Sequence, residues 1–155
     1  MTVPDLIPIE HDEYHTSTIG TCDDGEFFGC VVAAFAEGYQ HGNDWQQHKR
    51  WYAVLHRFDH DGTHLRSDVW FAGTTADGED EAIAGARSQL AQWLDALPGR
   101  CYGDIAIRLF QFEVDGAVFG LVDETDADWG DGSPHVELHP NDLGFDPPWN
   151  GEYDT

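Results

Sequence analysis

Gly78-Glu-Asp-Glu-Ala-Ile-Ala-Gly-Ala-Arg-Ser-Gln-Leu-Ala-Gln-Trp-Leu-Asp-Ala-Leu97 changes the rhythm of the chain. Within it Ala82, Ile83, Ala86, Leu90, Trp93, Leu94 and Leu97 recur at three- and four-residue steps, which winds them onto one stripe of an α-helix. Asp77 can cap the N-terminus, and Glu79, Asp80 and Glu81 stand where the helix dipole favours anions. Pro98-Gly99 stops the helix. One apolar stripe needs an apolar surface to cover, and the segments on both sides supply strands.

Upstream, residues 50–58 and 64–72 are rich in β-branched and aromatic residues and flank Asp59-His60-Asp61-Gly62, a turn sequence, so they form a hairpin. In its second arm Leu65, Val69 and Phe71 share one face, while Arg66 and Asp68 fall on the other with Trp70. Earlier still, residues 26–36 are a continuous apolar run bounded by Asp23-Asp24-Gly25 and Gly38, the pattern of a central strand buried on both faces. Downstream, residues 104–114 and 117–122 are joined by Asp115-Gly116, a dipeptide suited to the positive φ angles of a type I′ turn, and make a second hairpin. Residues 123–155 are turn-rich and acidic, with 135–139 as a short strand. The order strand, hairpin, helix, hairpin predicts an α+β domain spanning residues 1–155. Its antiparallel or mixed sheet is built from two hairpins plus an N-terminal strand, with one long amphipathic helix packed on it. A lone helix leaves part of the sheet bare. The surplus aromatics therefore either fill the other face beneath the termini or form a patch for a partner or for a second copy in a homodimer.

The chain has 155 residues, with 7 Lys+Arg against 30 Asp+Glu and a net charge of −23. A chain of this length buries roughly 70% of its unfolded surface, enough for a core without staples. Six Trp, five Tyr and nine Phe give it the apolar surface that a disordered acidic tail lacks. Every Lys and Arg lies between Lys49 and Arg108; residues 1–48 hold nine acids and residues 109–155 twelve, with no Lys or Arg in either flank. Such a field repels phosphate backbones and anionic lipid heads, which disfavours direct nucleic-acid and membrane-surface binding and favours a basic protein surface. Solubility, or adaptation to a salt-rich cell, accounts for the same excess without a partner. Cys22, Cys30 and Cys101 are odd in number, lack CxxC spacing and read as small buried hydrophobes. No export signal or apolar span is evident, so the expected location is cytoplasmic.

Two constellations could carry chemistry. His56, Asp59, His60, Asp61 and His64 bring imidazoles and carboxylates, good ligands for Zn, Ni or Mn, into nine residues. On a helix the three histidines would align, but here they flank a turn and splay around the hairpin tip. No metal is assigned to them. Asp59-x-Asp61-Gly62 matches the start of a calcium loop without its later carboxylates. The second constellation is the loop carrying Asp123, Glu124, Asp126, Asp128, Trp129 and Asp131. It suits a solvated loop, a divalent cation, or contact with Arg and Lys of another protein with Trp129 as an aromatic anchor. Trp45 and Trp149, also in polar loops, are further candidates for such contact. No GxSxG elbow, Walker loop, GxGxxG, HExxH or zinc-deaminase signature occurs, so the sequence nominates neither a catalytic residue nor a cofactor.

Several stretches together carry a family likeness: Phe27-Phe28-Gly29, Phe35-Ala-Glu-Gly-Tyr39, His48-Lys-Arg-Trp-Tyr-Ala-Val-Leu-His56 and Trp70-Phe-Ala-Gly-Thr74. Leu94-Asp-Ala-Leu-Pro-Gly-Arg100, Tyr102-Gly-Asp-Ile-Ala-Ile-Arg108, Val118-Phe-Gly-Leu-Val-Asp-Glu124 and the ending Gly151-Glu-Tyr-Asp-Thr155 extend it over nearly the whole chain. In these the chain resembles small acidic bacterial proteins, common in actinobacteria, carried under the label formate hydrogenlyase regulatory protein. The resemblance implies repression of a transcriptional activator by protein contact, and it carries over no catalytic or binding residue. The loop from Asp123 to Asp131 is longer and more acidic than the resemblance leads one to expect, so the resemblance implies no shared role for it. The resulting expectation is a non-enzymatic regulatory or adaptor protein acting through an acidic, Trp-edged surface. An immunity-type or nucleic-acid-mimic inhibitor of a basic toxin or nuclease is one alternative, and a metal-dependent enzyme or metal-binding protein is another.

Overall fold

The computed structural model describes residues 2–155 and shows three layers. The central layer is a five-stranded antiparallel sheet of order β5-β4-β3-β2-β6. Its strands are β2 (Ile19–Cys22), β3 (Gly25–Ala34), β4 (Arg50–Phe58), β5 (His64–Thr74) and β6 (Cys101–Tyr102). A long helix, α2 (Thr75–Asp95), covers one face; a short α1 (Trp45–His48) lies beside it. A four-stranded sheet of order β11-β10-β9-β8 covers the other face, formed by β8 (Phe110–Val114), β9 (Ala117–Asp123), β10 (Val136–His139) and β11 (Leu143–Phe145). Two short strands, β1 (Ile7–Ile9) and β7 (Ile105–Ile107), pair with each other and add four buried isoleucines to the core between the sheets.

The apolar run in β3 is central and buried on both sides, as its sequence predicts. Phe28, Cys30, Val32 and Ala34 belong to the core shared with Phe119, Leu121, Val136, Leu138 and Phe145 of the second sheet. Phe27 instead joins Ala53 and Leu55 against Ala86, Leu90, Leu94 and Leu97 on the helix side. Gly29 lets the helix settle close, because a Cβ there would sit 3.0 Å from Leu90 Cδ1. Burying each such Leu contributes about 1.5–3 kcal/mol.

The fold class is that expected, an α+β domain with one long helix on antiparallel strands, but four details differ. First, the two hairpins lie in different sheets, and it is the second sheet that fills the face the helix leaves bare. The run 104–114 breaks at Arg108-Leu109, so its first part pairs with β1 and only its second part with β9. The Asp115-Gly116 turn has the expected positive φ angles of 51° and 80°. Second, the helix starts earlier: Thr74 is the N-cap, and Asp77 closes a capping box with it. Gly78, at φ 125°, then interrupts the helix just before the apolar stripe. Third, the β4–β5 register shifts between Arg57 and Phe58, leaving Leu65 57% exposed and pairing His64 with Phe58. A one-residue bulge exchanges the faces of the strand. Fourth, Cys101 is exposed, because it lies on a two-residue edge strand; Cys22 and Cys30 are buried. Burial pushes the Cys30 thiol up to about 11, so it is inert at neutral pH.

Candidate functional site

In β10, Val136 and Leu138 point into the core, so Glu137 and His139 project from the outer face of the sheet. The neighbouring β9 pairs with it in register, Val122 beside Glu137 and Gly120 beside His139. Glu124 follows β9 directly, and its Oε1 lies 2.9 Å from His139 Nε2. Glu137 Oε2 is 3.8 Å from the same nitrogen. After His139 the chain turns through Pro140 and Asn141, and Asp142, at φ 59°, brings its carboxylate back to the pair. The ligating atoms of Glu137, His139 and Asp142 all lie within 4.8 Å of one another. Burial raises the Asp142 carboxyl pKa, with His139 opposing and Glu137 adding to the rise. Glu124, His139 and Asp142 border a cavity of about 500 Å³, walled on the apolar side by Ala33, Ala34, Phe35, Val118 and Val122 and entered by Lys49 and Glu37.

This cluster abuts the acidic loop. The base of the loop is pinned by Glu124 N–H donating to the His135 carbonyl at 2.9 Å and by His135 N–H donating to Thr125 Oγ1 at 3.2 Å. The His135 ring lies between two carboxylates, Nδ1 2.5 Å from Asp146 and Nε2 3.3 Å from Glu137. Burial lowers its pKa, but those two carboxylates overcome this and raise it on balance. Trp129 meets the His135 ring edge-on, with centroids 5.1 Å apart, yet remains 64% exposed. Asp126 and Asp128 are exposed beside it. Asp123 accepts from Thr125 N–H, and Asp131 accepts from Ser133 N–H, which lowers the Asp131 pKa.

The other sequence candidates are dispersed. Trp45 stands on α1 at 37% exposure, against α2 and β5, and Trp149 is half-buried against the core between the sheets. The two therefore stand on elements separate from the Trp129 loop. The five residues around the first hairpin do not converge, and only three of them splay at its tip. His60 reaches the Asp23 carbonyl at 3.1 Å, Asp59 accepts from Asp61 and Thr63 N–H, and Asp61 is exposed. His56 and His64 instead face the interior between the sheets, where both bond Ser67 Oγ, at 2.6 and 2.8 Å, inside a nest of Phe28, Phe58, Phe110 and Phe112. Strand pairing of His56 with Ser67 and of Phe58 with His64 dictates this. The donor cluster that the sequence did not single out is Glu137, His139 and Asp142. The alternation Val136-Glu137-Leu138-His139 signals only that Glu137 and His139 share a face.

No family model, curated protein or solved structure matches this chain. Among the described residues no helix is long and apolar enough to cross a membrane. The fold and the site together define an acidic three-layer α+β protein with an exposed tryptophan loop beside a cavity rimmed by carboxylates and an imidazole.

Proposed function

We propose that this chain is a non-enzymatic regulatory or adaptor protein of the cytoplasm that docks on a basic protein surface through Trp129 and the acids around it. One observation carries the reading: Trp129 is 64% exposed between Asp128 and Asp131, on a loop pinned to the sheet at its base. An indole held in water by a supported loop is the form that interface anchors take, and truncating such an anchor typically costs about 2 kcal/mol or more of binding. After Arg108 the chain has no Lys or Arg, and Asp123, Asp126, Asp128 and Asp131 are exposed to an approaching cation, with Glu124 at the base of the loop held by His139. Charge of this kind mainly accelerates and selects encounters. The resemblance to proteins that repress an activator by contact points the same way.

A capture experiment with matched variants tests the proposal. The full chain is immobilised in parallel with a loop variant (Asp126→Asn, Asp128→Asn, Asp131→Asn, Trp129→Ala) and with a variant that loses equal charge elsewhere (Glu13→Gln, Asp80→Asn, Glu152→Gln). The expected result is a basic protein retained by the wild type and the second variant at low salt and lost from the loop variant. Equal retention by all three overturns the proposal.

A further inference from the structure

We infer that Glu124, Glu137, His139 and Asp142 form a binding site for one divalent transition-metal ion of the Zn²⁺ or Mn²⁺ class. The inference does not depend on protein docking, and it shares only Glu124 with the acids around the exposed loop. Its first support is convergence. Ligands bonded to one such ion at about 2.0–2.2 Å cannot lie more than about 4.4 Å apart, and the atoms of Glu137, His139 and Asp142 already fall within 4.8 Å of one another. Shifts of about 0.4 Å bring the trio within that limit. Glu124 Oε1, 2.9 Å from His139 Nε2, stands outside that mutually convergent trio and would exchange its contact with the imidazole for the ion. Its second support is donor chemistry. An imidazole nitrogen among carboxylates suits Zn²⁺ or Mn²⁺, whereas Ca²⁺ and Mg²⁺ take oxygen ligands.

The third support is charge. Glu124 and Glu137 are half-buried beside Asp142, and no Lys or Arg pairs with any of the three among the described residues. Lys49 borders the same cavity but lies 3.7 Å from Glu79. Arg50, Arg57, Arg66 and Arg100 are paired with Asp115, Asp24, Asp68 and Asp95. A divalent ion would replace the mutual repulsion of two half-buried carboxylates and the exposed Asp142 with attraction. The scaffold is also rigid, since Glu137 and His139 stand on one face of a paired strand and Glu124 follows its neighbour. The adjoining cavity of about 500 Å³ leaves an open side for water or an external ligand on the ion. The hairpin-tip set of His60, Asp59 and Asp61 has none of this convergence.

The test uses the full chain, stripped with a chelator and titrated with Zn²⁺ and separately with Co²⁺, whose visible absorption reports the coordination geometry of the bound ion. The expected result is one equivalent bound. His139→Gln and Asp142→Asn should each weaken binding by more than about tenfold, because even outer-shell partners of a metal carry about 10–100-fold. His60→Gln should bind as the wild type does. Should a variant fail to fold, Mn²⁺ added to isotope-labelled wild type gives an independent answer through paramagnetic broadening centred on residues 137–142. Absence of stoichiometric binding, equal weakening by His60→Gln, or broadening centred elsewhere overturns the inference.

Discussion

Acidification below pH 6.5 should destabilise this protein through one buried imidazole, His56. It is only 1% exposed, and its pKa is pushed down from 6.5 to about 3, first by burial and then by His64. Because the folded-state value lies below the unfolded one, the native state holds the neutral ring. The resulting stability is fully present above pH 6.5 and is lost progressively as the pH falls from there toward 3. One pH unit of difference corresponds to about 1.4 kcal/mol, so the whole fall removes about 5 kcal/mol and the part down to pH 5 about 2 kcal/mol. Domains are stable by about 5–15 kcal/mol, so the loss is easily measured. His64, also lowered by burial, adds in the same direction, whereas His135, held up by Asp146 and Glu137, works against it. The assay is urea unfolding from pH 7.5 to 5 on the wild type and His56→Phe, whose ring fits among Phe28, Phe110 and Phe112. The variant forgoes the Ser67 bond, about 1 kcal/mol at neutral pH. It should then overtake the wild type as the pH falls, by about 2 kcal/mol of relative change. Parallel stability curves for the two proteins would refute the reasoning.

The remaining expectations concern packing and the loop. Gly120→Ala should destabilise by more than about 2 kcal/mol, because Gly120 has φ 139° and a Cβ would lie 2.1 Å from the Phe110 carbonyl oxygen; chemical denaturation measures it. Leu90→Ala should cost about 2–5 kcal/mol in the same assay through the cavity left between α2 and the central sheet. Tyr52→Phe removes a hydroxyl that donates to Asp115 at 2.8 Å and accepts from Arg50 at 2.9 Å, and should cost about 1–2 kcal/mol. Trp129→Ala should leave stability within about 0.5 kcal/mol of the wild type by thermal melting, since the indole is mostly in water.

What could be read in advance follows from how local each signal is. The α2 stripe from Ala82 to Leu94 and the apolar run of β3 repeat over enough residues to declare both element and buried face. β1, β2, β6 and β11 are two to four residues long and carry too little period to be seen. The division into two sheets depends on the break at Arg108-Leu109, which lies inside an otherwise β-rich run and is fixed by pairing with β1 and β9. The inward turn of His64 depends on a bulge, which is a property of the pair of strands and not of either one. The acidic loop was visible as composition. The donor cluster was not, because Asp142 reaches Glu137 and His139 only once Pro140 and Asn141 turn the chain back, and Glu124 only once β9 pairs with β10.

The docking surface is tested most directly by the association rate of the captured basic partner, measured against ionic strength for the wild type and for the variant with Asp126, Asp128, Asp131 and Trp129 replaced. The wild-type rate should fall steeply with added salt, and the variant should associate slowly with little salt dependence and dissociate faster. Identical rates and salt slopes for the two proteins would contradict recognition through this loop.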